Sequence, residues 1–336
     1  MKLRWKQLMV MAVVVFGMTA CSSANETNSQ PIKEETKVDT IRMASWSKPI
    51  VEQSNLYVAE EKGMFEEAGL QFEYVPGAGG GDAVKNIIAG NADIAFANME
   101  AVLLAAEQGE KLKIIYNIYP ENVFNLVSLK ESGIESIEDL KGKEVGVYSL
   151  TSGTYQNLQV LLHKAGMTEA DIKVIPTGVL NFGPLMQNQV VATAATDTGL
   201  FDAKQKGLGE VNVIEVKDVL NTPSDVFVVT EQIYNEKKES IEKFLQVYKE
   251  STEYVMEHPE EAAKIAQSAA IDGQDEARNL EIIQIRNVTA ANEEGLGMLD
   301  INLLKQVEQT YLEMGLLQKS VDIEALVTNE FVQNLD

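Results

Sequence analysis

Seven residues between positions 46 and 197 have types and positions suited to holding a small molecule. Thr151-Ser152-Gly153-Thr154 follows a short apolar run at 144–148 and precedes a leucine-rich stretch. Hydroxyls and a glycine at the mouth of a helix offer O–H donors and free backbone N–H groups to an anion or a partial negative charge. The same residue types make ordinary helix caps, so both readings stand. Trp46, Asn98 and Asp197 each close an apolar run, at 40–46, 93–97 and 191–195. An indole stacks on planar rings, an amide both donates and accepts, and a carboxylate accepts from amino groups. The plainer alternatives are a core tryptophan and, for Asp197, a cap on a helix over 198–206. Asn181, Phe182 and Tyr119 are weaker cleft or hinge candidates. The run Pro76-Gly77-Ala78-Gly79-Gly80-Gly81 resembles a phosphate cradle but lacks the Gly-Lys-Ser/Thr of a P-loop, so a flexible strand-to-helix turn is preferred.

Much other chemistry is closed off. The 336 residues include one Cys and two His, so no intrachain disulfide or Cys/His zinc set can form. A hydroxyl or thiol nucleophile would have to recruit His163 or His258. His163 falls in a helical leucine stripe, and His258 stands before Pro259 and Glu260 at a helix start. The formal charge is −23, from 28 Lys+Arg against 51 Asp+Glu, with no basic cluster, which argues against nucleic acid as a partner. No metal or cofactor is implied, and no enzyme activity.

The elements that must position these residues alternate. Strands are expected at 40–46, 70–75, 93–97, 112–119, 125–129, 144–148, 172–175, 191–195, 211–216 and 226–230, with helices over 54–65, 82–89 (Asp82 as N-cap), 100–108 and 152–165. Such alternation predicts α/β layers around largely parallel sheets. After residue 230 the pattern changes to long amphipathic helices carrying Ile241, Phe244, Leu245, Tyr248 and Val255, then Ile301, Leu304, Val307 and Tyr311. These have no strands of their own to cover, so most should pack on the first sheet. The expected layout is two lobes with two crossovers, residues 39–121 plus 227–336 and residues 122–226, with a ligand in the interlobe cleft at the carboxyl ends of strands.

Residues 1–21 read as an address. Lys2, Arg4 and Lys6 precede nine apolar residues at 8–16, then Gly17-Met18-Thr19-Ala20-Cys21. The apolar run suits a signal-peptide core and is short for a membrane span. Small residues before the sole cysteine resemble a lipobox, with Cys21 lipidated; the alternative is a plain secretory signal. Residues 22–38 are polar and suit a flexible tether. The expected location is the outer face of the cell membrane, held by the lipid.

Several runs resemble the solute-binding proteins of bacterial ABC importers: NLYVAEEKGMFEEAGLQFEYVP (55–76), AGNADIAFAN (89–98), LVSLKESGIESIEDLKGKEVGV (126–147) and the closing 295–300 and 311–317. The subgroup is similar to the thiamine-pyrimidine-precursor binders, with aliphatic-sulfonate, taurine and nitrate binders as cousins. The resemblance implies a type II periplasmic-binding-protein fold, a small-molecule ligand, a monomer, and a permease with its ATPase as partners. Trp46 matches that subgroup's first-strand tryptophan, but Ser45 replaces its acidic neighbour, Glu52 and Gln53 stand where a histidine follows, and Asn98-Met99 and Asp197-Thr198-Gly199 replace aromatic or acidic pairs. The Cys-rich motif of the related fungal pyrimidine synthases is missing. Trp46, Asn98, Ser152, Thr154 and Asp197, with no Arg or Lys in the strand-end turns apart from Lys48, point to a planar, neutral or weakly basic nitrogen heterocycle. A sulfonate, taurine or nitrate is the alternative, and a sensor lipoprotein or an enzyme on the same fold the alternative of another class.

Overall fold

The computed structural model describes residues 38–178, 181–291 and 295–335. Cys21, the leader at 1–21 and nearly all of the tether at 22–38 lie outside them. In chain order the elements are β1 (Asp39–Ser45), α1 (Ser54–Glu61), α2 (Met64–Glu67), β2 (Leu70–Val75), α3 (Gly80–Ile88), β3 (Ile94–Asn98), α4 (Met99–Glu107), β4 (Leu112–Tyr119), β5 (Phe124–Leu129), β6 (Glu144–Val147), α5 (Gly153–Lys164), β7 (Lys173–Pro176), α6 (Gly183–Met186), β8 (Ala192–Thr196), α7 (Asp197–Gln205), β9 (Val211–Glu215) and β10 (Asp225–Thr230). The helical tail is α8 (Glu231–Glu236), α9 (Lys238–Glu257), α10 (Pro259–Ala269), α11 (Glu276–Ala290), α12 (Ile301–Glu313) and α13 (Ile323–Leu326).

Two five-stranded mixed sheets result, ordered β2-β1-β3-β10-β4 and β7-β6-β8-β5-β9. In the first, β10 runs antiparallel between β3 and β4; in the second, β5 runs antiparallel between β8 and β9. Both are the strands that enter a sheet directly after a crossing. The chain leaves β4 at Tyr119 and starts β5 at Phe124, then leaves β9 at Glu215 and starts β10 at Asp225. One rim of each sheet therefore collects the carboxyl ends of its parallel strands and the amino end of its antiparallel one. The two rims face each other. The crossings are laced side by side: Ser224 N–H donates to the Tyr119 carbonyl (2.9 Å) and Val123 N–H to Ser224 Oγ (2.9 Å).

The first sheet is covered on both faces, which is why its strands are so apolar. One face packs Ile41, Met43, Phe96, Ile115 and Phe227 against α1, α9 and α11 through Leu56, Phe244, Tyr248 and Ile283. Phe227 meets Tyr248 and Phe244 edge-on, at ring centroid distances of 4.7 and 5.2 Å. The other face is cut by the small Ala95 and Ala97, which lets α3 approach through Ala83, Val84 and Ile87. Of the tail helices, α8, α9, α11 and α13 contact strands of the first sheet, and α10 packs on α1 and α11.

Three local readings need correction. The helix over 54–65 is two, because Gly63 at φ 69° turns the chain between α1 and α2. Asp82 is not the cap of α3: the helix starts at Gly80, and Asp82 sits in its first turn, accepting from Ala78 N–H at 3.3 Å. Thr196, not Asp197, caps α7, its hydroxyl accepting from Gly199 N–H at 3.3 Å.

Candidate functional site

The rim of the first sheet carries, strand by strand, Trp46 just beyond β1, Asn98 ending β3, Asp225 opening β10 and Tyr119 ending β4. The rim of the second carries Tyr148 and Ser149 after β6, Thr196 ending β8 with Asp197 after it, and Phe124 and Asn125 opening β5. Four sets of contacts join the rims.

The first is aromatic. Trp46 lies edge-on between Phe96 of its own lobe and Tyr148 of the other, each at a centroid distance of 6.4 Å. Its Nε1 is buried with no hydrogen-bond partner. The indole is half-buried rather than sealed in the core.

The second joins the glycine loop to the turn before α5. Ser149 Oγ donates to the Ala78 carbonyl at 2.6 Å, Thr151 Oγ1 reaches the same oxygen at 3.3 Å, and Gly81 N–H donates to the Thr151 carbonyl at 3.0 Å. Gly79 has φ 135°, and a Cβ there would stand 2.7 Å from Thr151 Oγ1. The loop is therefore a tight interlobe contact, not the flexible turn expected. The hydroxyls of the turn are largely spent on the turn itself: Ser152 Oγ lies 2.7 Å from both the Ser149 carbonyl and Thr154 Oγ1, and Thr154 Oγ1 accepts from Tyr148 N–H at 2.9 Å. Gly153 has no side chain because the Phe124 ring fills that place, 2.3 Å from where a Cβ would sit, so close approach of a ligand does not account for it.

The third set centres on Glu100, a buried carboxylate at the start of α4. It accepts from Asn98 Nδ2 (2.7 Å), from Asn157 Nδ2 of α5 (3.0 Å) and from the Tyr311 hydroxyl of α12 (2.9 Å). Burial pushes its carboxyl upward, and these donors oppose the shift. Asn98 Nδ2 also donates to Gln156 Oε1 across the cleft (2.6 Å), while its Oδ1 stays buried without a partner.

The fourth is ionic and escaped the sequence reading. Arg286 of α11 is only 5% exposed. It donates to Glu52 (2.9 Å), to both Asp197 oxygens (3.1 and 2.7 Å) and to Thr198 Oγ1 (2.9 Å), and Thr198 in turn donates to Glu52 (2.6 Å). Burial alone would lower this guanidinium, but the Asp197 and Glu52 charges hold it well above the ordinary arginine range. Its plane lies 5.1 Å from the Tyr119 ring centre. Asp197, read as an acceptor for a ligand, is therefore already paired. The expectation counted Arg and Lys in the strand-end turns only, with Lys48 the exception; Arg286 reaches the cleft from a helix far along the chain. Its signal was faint: Arg278 and Arg286, eight residues and so about two turns apart, share one helix face, and Arg278 reaches Asp202 of α7.

Asn181 is structural, donating to the Ala194 carbonyl at 2.8 Å; Phe182 is core, and the Tyr119 hydroxyl donates to the Glu52 carbonyl at 3.2 Å. His163 is exposed, and His258 separates α9 from α10. The reading missed Asn125, 1% exposed with both amide atoms unpartnered, and Asp225. Among the described residues no group of His, Cys, Asp and Glu is placed to hold a metal ion, and no helix is long and apolar enough to cross a membrane.

Two lobes of mixed sheet with their strand rims face to face define a periplasmic-binding-protein fold. Solved structures agree: one from Bordetella bronchiseptica RB50 matches at TM-score 0.72 and 20% identity, covering 89% of this chain and 96% of its own. The alkanesulfonate-binding protein of Xanthomonas axonopodis pv. citri, bound to MOPS, matches at TM-score 0.68 and 15% identity over 86% and 98%. The chain belongs to the NMT1/THI5-like family, whose profile matches residues 51–262. Among curated relatives, a riboflavin-binding protein of Chloroflexus aurantiacus is 25% identical over 99% of this chain and 98% of its own length. A 4-amino-5-hydroxymethyl-2-methylpyrimidine phosphate synthase of Aspergillus parasiticus is 25% identical over 61% and 63%. The relatives that this chain resembles thus include both a binding protein and an enzyme by name.

Proposed function

We propose that this chain is the extracytoplasmic solute-binding component of an ABC importer, tethered through a lipid on Cys21, and that it captures a planar nitrogen heterocycle without changing it. The observation that carries the ligand class is the indole of Trp46. It is half-buried on the cleft rim, with an unsatisfied Nε1 donor and an aromatic partner on the opposite lobe. A planar ring system with hydrogen-bond acceptors on its edge fits such a place. The full-length likeness to a riboflavin-binding protein supports a heterocycle, and the synthase likeness points the same way. A sulfonate or nitrate fits less well. Arg286, the guanidinium at the cleft, is engaged by Glu52 and Asp197. An anion would depend on Lys48 and on backbone N–H groups inside a strongly acidic protein.

The test is a thermal-shift series on the full chain with riboflavin, 4-amino-5-hydroxymethyl-2-methylpyrimidine, MOPS, taurine and nitrate. A ligand at 100 times its Kd adds about 2.7 kcal/mol, a clear rise in the midpoint. A heterocycle should raise it and be recovered unchanged by mass spectrometry. A rise with MOPS alone would move the reading to sulfonates, and a modified heterocycle would move it to an enzyme. For the anchor, Cys21→Ser should abolish lipid labelling and release the protein from the membrane fraction.

A further inference from the structure

On the same sheet rim as Trp46, two strands along, one carboxyl group takes no hydrogen bond among the described residues. Asp225 is 6% exposed and opens β10, where its backbone pairs with Asn98 on β3 and with Tyr119 on β4. The register along β4 shifts between Asp225 and Val226, an irregularity of the kind that re-aims a side chain at the end of a strand. Among the described residues no hydrogen bond reaches the carboxyl. The charged and titratable groups around it come from every neighbouring element: Arg286 from α11, Glu52 from the turn after β1, Glu100 from α4, Tyr248 from α9 and Tyr119 from β4. Arg286 directs its hydrogen bonds elsewhere, to Glu52, Asp197 and Thr198.

A carboxylate in that place would be a buried anion close to two others with no hydrogen bond of its own, which is costly. Burial, opposed by Arg286 and reinforced by Glu52 and Glu100, pushes the carboxyl up to about 8. At neutral pH the group is therefore mostly an un-ionised acid, with an O–H donor and a carbonyl acceptor side by side in one plane.

We propose that Asp225 is the specificity-determining residue of the cleft, donating an O–H hydrogen bond to an acceptor of the captured ring and accepting from the N–H beside it. The ligand class this selects is a heterocycle with a cyclic amide or amidine edge, where acceptor and N–H are adjacent. The inference rests on the reading of the cleft as a heterocycle site. It separates this class from sulfonates and nitrate, which have no N–H on the anionic group and carry a charge that Glu52, Glu100 and an ionised Asp225 would all repel.

The experiment is calorimetric titration of the full chain with riboflavin, which carries such an edge, and with 4-amino-5-hydroxymethyl-2-methylpyrimidine, from pH 7 to 9.5. It compares the wild type with Asp225→Asn and Asp225→Ala, each checked for a cooperative thermal transition. If binding needs the acid form, the wild-type Kd rises about 30-fold over that range for a group titrating near 8. Asn keeps a donor and an acceptor, so Asp225→Asn should bind within about threefold of the wild type at pH 7 and lose the alkaline fall, while Asp225→Ala weakens binding at pH 7 by about tenfold. Any fall common to all three proteins belongs to the ligand. Parallel pH profiles for wild type and Asp225→Asn, or wild-type affinity in a folded Asp225→Ala, would overturn the role of Asp225 alone. No binding of either ring compound at any pH would overturn the heterocycle reading and this inference with it.

Discussion

The two sides of the interlobe cleft handle polarity in opposite ways. Around Arg286 the charges are matched: one buried guanidinium, two carboxylates and a hydroxyl satisfy one another across the lobes. Around Trp46 they are not. The indole Nε1 and Asn98 Oδ1 are buried without partners. Between the two sets lies Asp225: the Arg286 charge acts on its carboxyl, but among the described residues no hydrogen bond reaches that carboxyl. Unmatched buried polar atoms are expensive, and a fold keeps few of them without reason. Matched polar groups bind lobe to lobe, and unmatched ones are left for something else. A charged residue in a cleft is a poor guide to ligand contact when its partner is already present. That is the physical reason for treating Asp197 as part of the lobe contact and Asp225 as part of the ligand site.

The largest effect is expected from removing the shared cation. Arg286→Ala leaves Glu52 and Asp197 uncompensated at a buried contact and should cost about 3–5 kcal/mol in urea unfolding. Arg286→Lys should recover only part of that, because a lysine cannot reproduce the two-pronged bond to Asp197. A loss under about 1 kcal/mol for Arg286→Ala would mean the network is not what holds this side together.

The next effect is at Asp225, where a substitution that keeps affinity at neutral pH should raise stability. Its folded carboxyl titrates near 8, above the ordinary 3.8, so the folded state holds an extra proton between those values. The contribution of this group to stability is fully present below about pH 4, falls as the pH rises through that window, and is lost above about 8. Asp225→Asn should therefore melt higher than the wild type, by a margin that widens from pH 5 to 8.5 in scanning calorimetry. A margin that stays constant or reverses would show that Asp225 is ionised in the fold.

A pair of affinity measurements comes third. Trp46→Ala should weaken binding of a ring ligand about tenfold, the worth of one aromatic stack. Asp197→Asn should lower stability yet leave that affinity within about threefold. Equal losses from both would erase the distinction between the two sides. The smallest effect is expected at the outer ion pair of Arg278 with Asp202 and Asp272, which is partly exposed and which Lys206 also shares. Arg278→Ala should cost about 1 kcal/mol or less.

The strands were legible because apolar runs bounded by turn residues persist wherever a sheet is covered on both faces; 70–75 and 112–119 were read with the bounds the structure has. The late helices were legible as a stripe without strands. Their use was less so. Arg286 sits in a polar helix between Ile283 and Val288, and no local pattern says that it crosses to Asp197, 89 residues away in sequence. Asp225 was hidden for a related reason, as the polar first residue of an apolar run that looks like ordinary strand punctuation. Its meaning depends on β10 inserting antiparallel between β3 and β4, a long-range event. The glycine loop and Gly153 were read as openings for a ligand or as slack, whereas close packing on Thr151 and Phe124 accounts for both.

The central claim, that a planar ring lodges against Trp46, has a direct optical test. The chain has two tryptophans, so Trp5→Phe leaves Trp46 as the sole indole in the full-length protein. Its emission lifetime, which is insensitive to light absorbed by the ligand, is followed as riboflavin or 4-amino-5-hydroxymethyl-2-methylpyrimidine is added. The expected result is a saturable change in the lifetime that reaches its limit at one ring per chain. A lifetime unmoved by either ring compound, together with a saturable change on addition of MOPS or nitrate, would contradict it.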